Sequence, residues 1–306
     1  MKNNVSLIGL SWCFTFVMLD AIQAVYFGRT LQKLDSFLVG VFVFGLSGVF
    51  CLIWVSITDR KQWTIAADNK YSLLGLNLTA AGAWVSYLYA VQLIEPAIAF
   101  TIFSGLVPTV TIAAYYIGVP VGQKARNSWE AIGNSLIIFG MIILICITIF
   151  GYSGFVRGNA DIAIIGLIFS VLAGVLISAM LLFCQHLDKK GMIPMMQFGL
   201  RFPLYILLAL GGYIWGLDYK GEIDIHLLLI AVGVGMFLLA FPIYAVQKAI
   251  SLTSALTVGA IAASAPLIVF ILQKIEGRVD FSTETLSGLS LYFVGAVIAT
   301  IGALKC

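Results

Sequence analysis

Of the 306 residues 61% are hydrophobic and only 10% charged, with a net charge of +3 and a mean hydropathy of +1.06. Soluble domains carry about 25% charged residues, so water is excluded as the main solvent of this chain. The small positive excess is spread over short loops, which excludes a basic nucleic-acid-binding patch, and the five scattered cysteines form no CxxC pair and read as packing residues.

Apolar runs separated by short polar breaks occupy residues 5–27, 36–58, 71–93, 96–117 and 130–151, then 161–186, 193–217, 225–248, 253–275 and 285–304. Each is about as long as the 20 or so residues a helix needs to cross the hydrocarbon, and too long and uniformly apolar for a barrel strand. A backbone in lipid must satisfy its own hydrogen bonds, so the runs predict an all-α integral membrane protein of ten transmembrane helices. The first run exceeds a secretory h-region and lacks a small-residue cleavage site, so it reads as a retained helix. The glycosylation-like strings at Asn4 and Asn77 fall on a terminus and inside a helix, and read as accidental.

Polar residues inside these runs are the candidates for function. In the first, Asp20 stands on a face with Trp12, Phe16 and Gln23, where a buried acid costs about 2.5–3.5 kcal/mol. That face is either a cavity wall or a hydrated outer interface with Asp20 paired to Arg29. In the third run Asn77, Trp84 and Tyr87 lie close together. The fourth carries Thr101, Ser104, Pro108, Thr111 and Tyr115 along one edge, suited to a translocation path unless the hydroxyls merely bond back to their own helix. The seventh aligns Gln197, Arg201 and Tyr205 on a face that would meet a substrate carboxylate or phosphate, unless the helix starts near Gly199 and leaves Arg201 at the headgroups. Tyr244 follows Pro242 in the eighth run, and the ninth offers mainly Gly259, Ala262, Ala263 and Ser264. The substrate-binding candidates are therefore Asp20, Gln23, Trp84, Tyr87, Thr101, Ser104, Gln197, Arg201, Tyr244 and Ser264.

Lys and Arg near the run ends divide ten to six in favour of the side holding both termini, which predicts cytoplasmic termini. Landmarks recur along the chain. Gly9 to Pro108 spans 99 residues and Gly166 to Pro266 spans 100, while Gly133 and Gly140 are seven apart, as are Gly288 and Gly295. GNSLIIFG at Gly133 aligns with GLSLYFVG at Gly288. These matches divide the chain into repeats 1–158 and 159–306. Five helices is an odd number, so the second repeat must enter the membrane inverted, the construction of many secondary transporters. The glycines spaced by seven make a smooth face for close packing, within one chain or between two.

The glycine spacing, the AISLTSA string at Ala249, Pro266 eleven residues after Ala255, and Glu276 beyond it resemble the EamA-type drug/metabolite transporters. The resemblance covers nearly the whole chain. It implies ten helices, a cavity between the halves, and movement of small metabolites, commonly outward from a bacterial cytoplasm, without a bound cofactor. His186 and His226 both lie near run ends and no two carboxylates share a mid-membrane face, which argues against an enzyme. The expectation is an alternating-access carrier, secondary-active or facilitative, of a small organic, amino-acid-like solute. It is an exporter acting as a monomer or homodimer in a bacterial inner membrane, with substrate and lipid as its partners. The competing readings are a channel and a non-transporting multi-pass protein.

Overall fold

The computed structural model describes residues 7–119, 122, 125, 127–252 and 261–304. In chain order its helices are α1 (Leu7–Thr30), α2 (Ser36–Thr58), the short α3 (Lys61–Asp68), α4 (Lys70–Leu93), α5 (Pro96–Tyr116) and α6 (Ser128–Ile149). They continue with α7 (Ala160–Lys189), α8 (Pro194–Leu200), α9 (Pro203–Ile214), α10 (Ile225–Leu252), α11 (Ala265–Glu276) and α12 (Thr283–Leu304). Among the described residues the only strand-like feature is an isolated bridge between Ile94 and Val156. Among them too, seven helical segments, one of them α8 and α9 together, are long and apolar enough to cross a membrane. The protein is a multi-pass, all-helical membrane protein.

The helices are apolar on both sides. On α2, Val39, Val43, Cys51 and Val55 are buried, while Phe42, Leu46, Phe50, Ile53 and Trp54 on the opposite side are exposed. A soluble helix would carry charge there, whereas a bilayer accepts the hydrocarbon. Polarity is turned inward instead: α4 buries Ser86 and Gln92 as it packs along α7.

Helix ends are closed by side chains that reach between the two halves of the chain. Asp35 caps α2 by accepting from the Phe37 and Leu38 amides, and Asp218 accepts from Ser36 N at 3.0 Å and Ser36 Oγ at 2.7 Å. At the other face Gln62 Oε1, just past the end of α2, accepts from Ile193 N at 2.9 Å, just before α8. Asn127 caps α6 and donates to Gly302 O at 2.6 Å near the end of α12; Ser282 caps α12 and donates to Tyr152 O at 2.6 Å beyond the end of α6. Each tie thus has a reciprocal one with the halves exchanged. Helix packing follows the same rule: α4 lies on α7 as α1 lies on α10, α5 on α7 as α1 on α11, and α6 on α12.

The seam between α6 and α12 is where the glycines fall. A Cβ on Gly133 would overlap the Ala299 backbone nitrogen and lie 2.6 Å from Ala299 Cα and Gly295 O, and one on Gly295 would lie 2.8 Å from Ile137 N. The face is therefore used within the chain.

Three expectations change. The polar stretch after α2 contains the helix α3. The run at 193–217 is not one helix: it breaks at Arg201 and Phe202, ahead of Pro203, whose ring removes a donor and crowds the preceding turn. The matched prolines differ in setting, since Pro108 lies inside continuous α5 while Pro266 opens α11 after a turn at Ala263 and Ser264. Residues 253–260, including Gly259, lie outside the described part.

Candidate functional site

The break at Arg201 is built by a residue far away in sequence. In an unbroken helix Leu204 N–H would bond to Leu200 C=O. Here the side-chain amide of Asn77, on α4, is inserted between them: Nδ2 donates to Leu200 O at 2.7 Å and Leu204 N donates to Asn77 Oδ1 at 3.3 Å. Non-helical backbone at membrane depth persists only where protein or water satisfies it, and Asn77 does so. Asn77→Leu is expected to remove three hydrogen bonds, to Leu73 O and Leu200 O and from Leu204 N, and to lower stability by about 2–3 kcal/mol, read as a fall in the midpoint of thermal unfolding in detergent.

Arg201 sits at that break, partly accessible. Its guanidinium lies over the rings of Phe198 and Phe202, 5.2 and 5.8 Å from their centroids, with Nη1 at 4.0 Å from Met180 Sδ and Nε without a hydrogen-bond partner. No carboxylate pairs with it among the described residues. Asp20, also partly accessible, has no hydrogen bond or ion pair among the described residues either. It does not pair with Arg29, which contacts Glu276 at 3.4 Å instead. At about 1.5 Å of rise per residue, Asp20 lies about 15 Å from the Thr30 end of α1, and Arg201 about 20 Å from the Ile214 end of α9. Both ends belong to the face where Asp218 meets Ser36; Arg201 lies about 10 Å from the opposite, Pro194 end of α8, so both side chains fall within apolar spans and away from the Asp218 face.

A row of aromatic rings leads from α4 to the side of Arg201. Tyr87 meets Trp84 edge-on at 5.9 Å, Trp84 lies 4.9 Å from Phe44, and Phe44 lies 4.4 Å from Phe202. Trp84 Nε1 is buried without a partner. Gln23 belongs to the same turn of α1 as Asp20 and makes no hydrogen bond among the described residues.

The other candidates have hydrogen-bond partners of their own where they are described. Thr101 is wholly buried and bonds back to Ala97 O at 2.5 Å; Ser104 bonds back to Phe100 O at 2.8 Å and meets Tyr292 Oη at 3.5 Å, and Thr111 bonds back to Val107 O. The hydroxyl edge of α5 is thus largely satisfied by its own helix. Gln197 donates to Asp188 Oδ1 and Met192 O, and Tyr205 is buried against Gly40, so neither shares the accessible position of Arg201. Ser264 donates to Ile261 O at the turn before α11. The Tyr244 side chain lies outside the described residues.

Sequence reasoning missed the polar fastening at the Thr30 end. Glu95, fully buried, accepts from Gln273 Nε2 at 2.5 Å, Gly154 N at 2.9 Å and Thr285 Oγ1 at 3.0 Å, and Gln273 Oε1 accepts from Ala97 N. Burial raises the Glu95 carboxyl above its ordinary pKa, and the three donors oppose that rise. Beside it Glu276 faces Arg29 and Arg278; the Arg278 guanidinium rests on Phe155 at 4.6 Å and burial lowers its pKa. Lys220 bridges Asp218 and Gln92. A cavity of about 490 Å³ lined by Lys33, Asp35, Tyr213, Tyr219, Lys220 and Glu222 opens above that bridge. The available signal was an acid directly before a proline between two apolar runs, IEPA at Ile94.

No family model and no curated protein sequence matches the chain. A solved structure described only as "Crystal structure of protein" is similar at a TM-score of 0.63 and 15% identity, over 97% of this chain and 98% of that one. The two share a fold along their whole lengths. At that identity the likeness speaks to architecture alone.

Proposed function

We propose that the chain is an alternating-access transporter of a small organic solute, a carrier and not a catalyst, related to the EamA-type transporters. The observation that carries this reading is the pair of ionisable side chains inside apolar spans that have no opposite charge beside them, Asp20 and Arg201, one of them at a helix break. Discontinuous helices that present charge or backbone poles at the midplane are where transporters bind their cargo. The reciprocal ties, Asp218 to Ser36 with Gln62 to Ile193 and Asn127 to Gly302 with Ser282 to Tyr152, support ten spans in two inverted repeats, 1–158 and 159–306. Fastening around Glu95, Glu276 and Asp218 joins the repeats at one face, as expected for a gate on that side. Under the positive-inside rule the fastened face is the non-cytoplasmic one, with both termini in the cytoplasm of a bacterial inner membrane, the setting expected of an exporter. The glycine seam lies inside the chain, which favours a monomeric working unit.

Purified protein in liposomes, offered a library of amino acids, amines, nucleosides and sugars, should give saturable flux and counterflow with at least one solute. Asp20→Asn and Arg201→Ala should each reduce that flux by about tenfold or more, the weight of one charged contact, while leaving folded, membrane-inserted protein. Undiminished flux in both variants would remove the pair from the site. Flux that never saturates would replace the carrier by a channel.

A further inference from the structure

The cavity above the Lys220 bridge is lined by charges of both signs, and we infer that it holds the headgroup of a zwitterionic phospholipid whose cation is a primary ammonium. The cavity, about 490 Å³, lies between the turn joining α1 to α2, which supplies Lys33 and Asp35, and the segment joining α9 to α10, which supplies Tyr219, Lys220 and Glu222. That segment has a surface unlike a soluble loop: Ile214, Trp215, Leu217, Tyr219, Ile223 and Ile225 are all exposed. They stand where α9 ends and α10 begins, and aromatic and aliphatic side chains displayed at the ends of spanning helices belong in the headgroup layer. Ile214, Tyr219 and Ile223 also line the cavity, so its wall is continuous with the lipid-facing surface.

The polar groups inside are free to take a ligand. Lys33 and Glu222 line the same cavity, yet neither side chain has a hydrogen bond or an ion pair among the described residues. The Lys220 side chain is only 10% exposed. Its ammonium donates to Asp218 Oδ1 and to Gln92 Oε1, which leaves one of its three N–H groups for the cavity it lines. Lys33 and Lys220 thus offer donors to a phosphate, and Glu222 offers a carboxylate to an ammonium that can donate N–H bonds, which a quaternary ammonium cannot. The balance of charge selects the headgroup class. With Asp218 at the floor beside Asp35 and Glu222, carboxylates outnumber the ammoniums of Lys33 and Lys220, so an anionic headgroup would add to an excess already present, whereas a zwitterion adds none. A bare amine would suit that balance but leave the Lys33 and Lys220 donors unused. Because Lys220 also ties Asp218 to Gln92 on α4, a headgroup seated here touches the fastening of this face.

The test titrates the purified full chain, stripped of lipid in detergent, with phospholipids of identical acyl chains bearing ethanolamine, choline or glycerol headgroups, and reads the first bound lipid by native mass spectrometry. The ethanolamine lipid should bind about fivefold or more tighter than the other two, the weight of one charge-assisted contact. Glu222→Gln should bring the ethanolamine lipid down to the level of the choline lipid, because the carboxylate that accepts from the ammonium is gone. Lys33→Gln should weaken both zwitterionic lipids alike, and Lys190→Gln, at the far end of α7 on the opposite face, should change neither. Lys33 and Glu222 are exposed, so both variants should keep the lipid-free unfolding midpoint of wild type, which separates loss of the site from loss of the fold. Equal affinity for the three lipids overturns the inference, as does an ethanolamine preference that survives Glu222→Gln or an affinity untouched by Lys33→Gln. Soluble phosphoethanolamine binding as tightly as the lipid would assign the cavity to a solute and overturn it too.

Discussion

Gly133→Ala is expected to cost about 3 kcal/mol, the upper end of what overpacking costs, because the added methyl meets backbone that no rotamer change can move. The α6 and α12 helices approach so closely that the Ala299 nitrogen and the Gly295 carbonyl occupy the space a Cβ would need. The chain must separate the two helices along their length or abandon the seam. At Gly211, by contrast, an added Cβ would have nothing within 4 Å, so Gly211→Ala serves as the control and should be close to neutral. Thermal unfolding in detergent, followed by intrinsic fluorescence, reads both. A Gly133→Ala protein with an unchanged midpoint would show that the seam has room to open.

Glu95→Ala is expected to be at least as damaging, about 3–5 kcal/mol, from three buried donors left without an acceptor. It leaves the Gly154 amide, the Gln273 side chain and the Thr285 hydroxyl buried without their acceptor. Each such orphan costs about 1–3 kcal/mol. Glu95→Gln keeps the volume but turns one acceptor into a donor aimed at other donors, so it should fall between wild type and alanine. The same variants carry a functional expectation: with the fastening loosened, a cysteine introduced at the exposed Lys33 and cysteines introduced nearer Asp20 should become accessible to a membrane-impermeant thiol reagent together, where wild type admits the reagent only at the surface position. Equal labelling in wild type and Glu95→Ala would show that this face does not close over the site.

Much of the architecture is legible one residue at a time. The choice of bilayer over water follows from composition, since exposed Phe50, Ile53 and Trp54 on α2 can only face hydrocarbon. Helix positions follow from runs of apolar residues, and α2 is found at the residues its run occupies. The spacing of Gly133, Gly140, Gly288, Gly295 and Gly302 marks a close-packing face because glycine alone brings backbones together. Asp20 and Arg201 stand out because a charge inside an apolar run is costly wherever the run is placed.

What the run pattern hides is long-range. A hydroxyl on α5 looks like a path lining, yet whether Thr101 faces a cavity or its own Ala97 carbonyl depends on which neighbours cover it. The break at Arg201 depends on Pro203, visible in the sequence, and equally on Asn77, whose amide reaches it only once α4 is packed beside α9. Likewise nothing local tells Glu95, which gains three donors from distant segments, from Asp20, which gains none. Solvent, helices and the residues too polar for their surroundings are thus written into the chain itself, because they depend on transfer energies summed along it. Which of those polar residues find compensation is settled in three dimensions, because a partner must come within about 3–4 Å and packing alone brings it there.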